Sequence, residues 1–338
     1  MSEPNLIHLT RRIVDSTTGD GWTKPRSLSR ASNPQWRIVL AKGIDLVTRR
    51  IQSSIDLDFH IRMAYGSLAV LMISFVGCRL TSIHTDVTGR VTAIVLMFAM
   101  VAPLPIYWHG KSRTALRESA LVLPWELLLA ATLSFPVLIA ARLRLPLQDS
   151  LFGHIDQSLG VSVPAIMAWA DHHWLGTAIN KSYPWLLPLL AVAVFAPPLM
   201  GKTKQAREFL LANLIAFAIG VPLFALLPAV GPWSYYHLAP NPAQASCWAQ
   251  LLSLRLPGPY LFQEQAAGVV CFPSFHVVWA ILCAAALWGF RPLRIPTALL
   301  SAMIIASTLT TGWHYFSDLL GGIAVAAISI AIARVYAA

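Results

Sequence analysis

Residues 271–290 read CFPSFHVVWAILCAAALWGF, and residues 311–336 read TGWHYFSDLLGGIAVAAISIAIARVY. Each is a mainly apolar block opened by a polar turn: Pro273, Ser274, Phe275 and His276 in the first, His314, Tyr315, Phe316, Ser317 and Asp318 in the second. About 20 apolar residues in a helix rising about 1.5 Å per residue cross a hydrocarbon core of about 30 Å. Two histidines and a carboxylate therefore enter membrane-spanning segments. Such a side chain costs about 2.5–3.5 kcal/mol at the bilayer centre, which makes these residues functional candidates.

The same pattern extends outward from these two blocks. The spacing predicts spans at Ile61–Leu80, Val91–Trp108, Leu121–Ala141, Tyr183–Met200, Phe209–Val230, Phe272–Phe290, Ile295–Thr311 and Phe316–Tyr336, about eight helices. Of the 338 residues 56% are hydrophobic and 12% charged, about half the charged share of a soluble domain. The fold class is an all-α integral membrane protein. Porin-like alternation is absent, which argues against a β-barrel. The net charge of +10 lies mostly beside apolar segments, where Lys and Arg set orientation and meet anionic lipid, so the expected partner is a bilayer and not nucleic acid.

Three regions follow. Residues 1–60 form a basic N-terminal region. Its first 35 positions are rich in Ser, Thr, Arg and Pro, and Trp36, Val39, Leu40, Ile44, Val47 and Ile51 recur at the spacing of an amphipathic helix, interfacial or packed on the core. No apolar core of a cleavable signal is present, so the first spanning helix is expected to direct insertion. Residues 61–118 hold two further helices, and 119–338 a six-helix core. Lys111, Arg113 and Arg117, then Lys202, Lys204 and Arg207, then Arg291 and Arg294 fall in alternate loops on the side of the basic N-terminus. By the positive-inside rule that side is cytoplasmic, with both termini. His276, His314 and Asp318 then share the extracytoplasmic face, covered by the loops Arg142–Ser182 and Gly231–Cys271. Cys247 and Cys271, both in the second loop, are a candidate disulfide; Cys78 and Cys283 read as packing.

The chemistry follows from residue types. Proline suits the first helical position, and the N–H groups after Pro273 are expected to face outward as an anion site, with the Ser274 hydroxyl beside them. His314 and Asp318 are four apart, expected on one helix face. A carboxylate on one ring nitrogen fixes the tautomer, frees the other as a nucleophile and stabilises the imidazolium. His276 across the site can protonate a leaving oxygen. A His and an Asp at this spacing also suit a structural contact or half a metal site. No metal or other cofactor is expected, because no third Cys, His or carboxylate shares the segment; His237 could approach from the loop.

Cys-Phe-Pro-Ser-Phe-His at 271–276, Thr-Gly-Trp-His-Tyr-Phe-Ser-Asp at 311–318, and Gly321 with Gly322 resemble the type 2 phosphatidic acid phosphatase superfamily over about residues 120–336. With Leu227-Pro228-Ala229-Val230-Gly231-Pro232, the resemblance is strongest to its inositolphosphotransferase branch, which includes inositol phosphorylceramide synthase. It implies His314 as nucleophile, Asp318 as its orienting acid, His276 as the proton donor and Ser274 as a phosphate contact. The chain departs from the pattern in three places. Phe275 stands where Gly is usual, Ser307 is followed by Thr308 instead of Arg, and Arg255 is the only Lys or Arg in Gly231–Cys271. Substrate-side groups are then Ser274 and Phe275, with Arg255, Lys181, Arg142 and Arg144 as outer-face cations.

The expected activity is transfer of a phosphorylated headgroup between lipids through a phosphohistidine. The alternatives are hydrolysis of a lipid phosphate or polyprenyl diphosphate, and a non-catalytic transporter or scramblase on the same scaffold.

Overall fold

The computed structural model describes residues 59–84, 114–261 and 269–337, with isolated positions 96, 99 and 103. The N-terminal region 1–58 and most of the second expected span, Val91–Trp108, lie outside the described residues. Among the described residues, six helical stretches are long and apolar enough to cross a membrane: Phe59–Leu80, Leu116–Arg142, Trp174–Leu199, Thr203–Leu226, Arg291–Thr310 and Phe316–Tyr336. The protein is an all-α integral membrane protein with a six-helix core.

We number the described helices α1 (Phe59–Leu80), α2 (Thr114–Ala120), α3 (Leu123–Thr132), α4 (Ser134–Arg142), α5 (Asp149–Ser158), α6 (Val163–His172), α7 (Trp174–Ser182), α8 (Leu186–Leu199), α9 (Thr203–Leu226), α10 (Pro232–Tyr235), α11 (Pro242–Arg255), α12 (Phe275–Leu287), α13 (Arg291–Thr310) and α14 (Phe316–Tyr336). The span Leu116–Arg142 is built from α2, α3 and α4 because of its prolines. A proline ring clashes with the carbonyl four residues earlier. For Pro124 and Pro136 those are Ala120 and Thr132, where α2 and α3 end.

The centre of the bundle is α12, packed against α8, α9, α13 and α14. Small residues at the contacts, Ala280, Cys283, Ala286, Ala216 and Ala326, let the helices approach, and Leu282, Ile304 and Val325 fill the remaining space. Ser301 Oγ on α13 donates to the Ala280 carbonyl on α12 at 2.8 Å, a polar tie in an apolar interface. At 13 residues, about 20 Å, α12 is shorter than a full crossing. Its His276 end is continued by non-helical chain through Phe272, Pro273 and Ser274.

The two expected outer loops are largely folded. Arg142–Ser182 contains α5, α6 and α7, and the span begins at Trp174, not Tyr183, joined to α8 by a single 3-10 turn at Tyr183–Trp185. Helix α5 buries Asp149, Phe152, Gly153 and Asp156, a helical i, i+3, i+4, i+7 stripe with two acids turned inward. Gly231–Cys271 contains α10, α11 and a strand, β2 (Tyr260–Leu261), which pairs in parallel with β1 (Ile83–His84) after α1.

Arg142 fastens this layer. The residue is 7% exposed, and its guanidinium donates to the carbonyls of Thr81 (2.9 Å), Leu254 (2.8 Å), Leu256 (2.9 Å) and Gly258. One side chain thus holds the ends of α1, α4 and α11 together. Replacing Arg142 with Ala leaves several carbonyls without their donor. We expect a stability loss of about 3 kcal/mol, read as a fall of several degrees in the thermal unfolding midpoint of the detergent-solubilised protein, while an Arg291→Ala control stays near the parent value.

Candidate active site

Helix α13 ends at Gly312, whose φ of 69° places it in the left-handed region that glycine tolerates best. Gly312 N–H donates to Leu309 O and Trp313 N–H to Thr308 O, closing a Schellman turn. His314 N–H donates to the same Thr308 carbonyl at 3.2 Å. The chain therefore reverses within Trp313–Tyr315, and α14 starts with Tyr315 as its N-cap. His314 lies before the helix, so the expectation that it shares a helix face with Asp318 is corrected. The two meet because Asp318 reaches back across the first turn. Its Oδ2 accepts from Tyr315 N–H at 2.9 Å and lies 3.3 Å from Nδ1 of His314. With a carboxylate oxygen as partner, Nδ1 carries the proton and Nε2 is the nitrogen left free. His314 is 3% exposed and Asp318 is fully buried.

Helix α12 is fixed to this turn by backbone. Ser274 N–H donates to the Asp318 carbonyl at 3.1 Å, and Ser274 Oγ caps α12 by accepting from Val277 N–H at 3.4 Å. The helix begins at Phe275, with Ser274 and not Pro273 at its entrance. The expected outward row of N–H groups is thus partly used inside the protein: Ser274 is fully buried and its hydroxyl serves as the cap. Close approach depends on Gly322, where a Cβ would fall 2.7 Å from Ser274 O and 2.9 Å from Val277 Cβ.

The result brings His276 and His314 together, ring centroids 6.0 Å apart. Tyr183 stacks on His276 at 4.4 Å and 24°, and on Trp313 at 6.0 Å and 11°. Tyr183 was not singled out by the sequence; an aromatic in an outer segment reads as interfacial belt.

Two further acids were missed. Asp156 is fully buried and accepts from Phe316 N–H (2.7 Å) and Ser317 N–H (2.9 Å), the first free donors of α14. Asp149 accepts from Val230 N–H, Gly231 N–H at 2.9 Å and the Tyr315 hydroxyl at 3.0 Å. Helix α5 therefore positions both the His314 turn and the Val230–Gly231 chain. Acids in a polar stretch carry no signal by themselves; only their helical register could have shown them.

The remaining predicted residues fall as follows. Phe275 is 7% exposed and packs on Phe217, Trp279 and the bare face of Gly220. It packs in the core beside the His276 turn, and Gly220 on α9 makes the room for it. Arg255 donates to Leu145 O at 2.7 Å and Arg144 to Leu256 O at 2.7 Å, so with Arg142 these cations all bond backbone carbonyls. Lys181 is exposed at the end of α7, two residues before Tyr183. Cys247 and Cys271 are not bridged. Cys247 lines a small gap with Trp233, Gln244, Trp248 and Trp313, whereas the Cys271 sulfur is turned to Asp318 Oδ2 at 3.0 Å. His237 is exposed after α10. Cys271, His314 and Asp318 place three metal-ligand-type atoms within 4.8 Å of one another, so the third donor missing from the short segment is supplied by a distant one.

The chain has a counterpart among known families. A model of the PAP2 superfamily matches residues 151–332, more than half the chain and every helix from α6 to α13. The protein belongs to the PAP2 superfamily, whose general chemistry is lipid phosphatase or phosphotransferase activity. No curated protein and no solved structure shows a significant match to the chain.

Gly322→Ala tests the joint between the helices. The added methyl meets backbone and must push α12 from α14, costing about 1–3 kcal/mol and lowering turnover by about ten- to a hundred-fold. Turnover assays alongside thermal unfolding of the purified variant would record both effects.

Proposed function

We propose that this protein is a lipid phosphotransferase that moves a phosphorylated headgroup from a phosphodiester lipid to an acceptor hydroxyl at the extracytoplasmic face, in the manner of the inositolphosphotransferase branch. The observation that carries this reading is the charge balance of the site. Asp149, Asp156 and Asp318 are buried there, while Arg142, Arg144 and Arg255 are engaged with carbonyls. Thr308, where the phosphatase pattern has Arg, is fully buried beneath His314. A phosphomonoester dianion needs cations that these residues do not offer; a diester, with one charge fewer, is the better fit.

In this mechanism Nε2 of His314 attacks phosphorus and the bond to the departing lipid oxygen breaks. His276 gives that oxygen its proton, and Asp318 stabilises the imidazolium being formed. The acceptor hydroxyl then loses its proton to His276 and attacks phosphorus, and the P–N bond breaks. The stack of Tyr183 on His276 fixes the ring that moves both protons. The basic loops support a reading with the termini in the cytoplasm and this face outside. Residues 119–338 would carry the activity, with 1–118 as an addition.

His314→Ala is expected to lower turnover about a thousand-fold or more, and His276→Ala by about 10²–10⁴-fold, with folding retained. Lipid mass spectrometry of membranes with and without the protein identifies donor and product together. A new phosphodiester supports transfer; release of inorganic phosphate would identify a phosphatase. Lipid movement unaffected by His314→Ala would identify a transporter or scramblase.

A further inference from the structure

Three donors converge on one oxygen of Asp318. Oδ2 receives Tyr315 N–H at 2.9 Å, the Cys271 thiol at 3.0 Å and Nδ1 of His314 at 3.3 Å. The other oxygen, Oδ1, is buried without a hydrogen-bond partner. The last torsion of an aspartate is broad, so the side chain alone does not fix the plane of the carboxylate against His314. Tyr315 belongs to the same turn as Asp318 and moves with it. Cys271 is the donor from outside that turn, supplied by the segment leading into α12.

The thiol is suited to this place. It is 4% exposed, and burial together with the nearby Asp318 carboxylate pushes it well above the ordinary thiol range, so it remains S–H. A thiol is also a weak donor, which leaves most of the acceptor strength of Oδ2 for the imidazole. Its second contact, Trp313 O at 3.9 Å, keeps the sulfur against the His314 turn.

We propose that Cys271 is a positioning residue of this site: its S–H, donating to Oδ2 of Asp318, holds the carboxylate in the orientation that meets Nδ1 of His314 and so aims Nε2 at phosphorus. Cys271 touches no reacting atom and acts only through Asp318. The proposal rests on His314 being the nucleophile.

The test compares the full-length purified protein with Cys271→Ala, Cys271→Val, Cys271→Ser and His314→Ala. Turnover is measured with headgroup-labelled phosphatidylinositol, and with phosphatidic acid as a second probe. Removing the donor in the Ala and Val variants is expected to lower kcat about ten-fold, with KM essentially unchanged. Serine, which can donate to the same oxygen, is expected to restore most of it. Should the Ala variant fail to fold, the Val and Ser variants, both close to Cys in size, decide the point. Wild-type kcat in the Ala and Val variants with an inactive His314→Ala would overturn the role of Cys271 and leave the nucleophile standing. A Ser variant as slow as Val would reduce Cys271 to packing. Normal turnover by His314→Ala would remove the reading on which the proposal depends.

Discussion

The structure of this face depends on Asp318. Its backbone carbonyl accepts Ser274 N–H and so joins α14 to the entrance of α12. Its side chain accepts Tyr315 N–H, Cys271 S–H and the His314 ring. One residue therefore sets the distance between the two histidines, the start of a helix and the tautomer of an imidazole. A buried carboxylate is stable only when such donors surround it. The bundle supplies them by letting backbone approach backbone at Gly322 and by turning the chain through Gly312.

Around that centre the protein manages charge with backbone groups more than with opposite charges. Asp156 sits on the first N–H groups of α14, and Asp149 on Val230 and Gly231. On the same side of the molecule, Arg142 and Arg144 sit on the carbonyls that end α11. Acids at helix starts and bases at helix ends follow the helix dipole. In consequence Arg142, Arg144 and Arg255 bond carbonyls of the scaffold, and among the described residues few cations are left for the site. That balance distinguishes the chemistry proposed for this chain from simple hydrolysis of a phosphomonoester.

The spans were legible because a bilayer requires long apolar helices, and composition alone reports them. His276, His314 and Asp318 were legible because ionisable groups are conspicuous in apolar blocks. Other features were hidden for physical reasons. Pro273 reads as a first helical residue, yet the Ser274 hydroxyl takes the N-cap and shifts the start by two positions. Asp149 and Asp156 lie in a stretch polar enough to pass as loop, although their register with Phe152 and Gly153 is helical. A cysteine in an outer segment reads as half a disulfide, whereas Cys271 bonds a carboxylate brought from 47 residues away. Phe275 reads as substrate-side because it follows Ser274; the space it fills comes from Gly220, which no local pattern connects to it.

The most direct measurement is chemical trapping of the intermediate. The purified protein, mixed briefly with phosphatidylinositol labelled in its headgroup and quenched at alkaline pH, is digested and its peptides are analysed by mass spectrometry. The account predicts an acid-labile headgroup-phosphoryl adduct on His314, absent from the His314→Ala variant. An adduct on His276, or turnover with no adduct on any histidine, would contradict it.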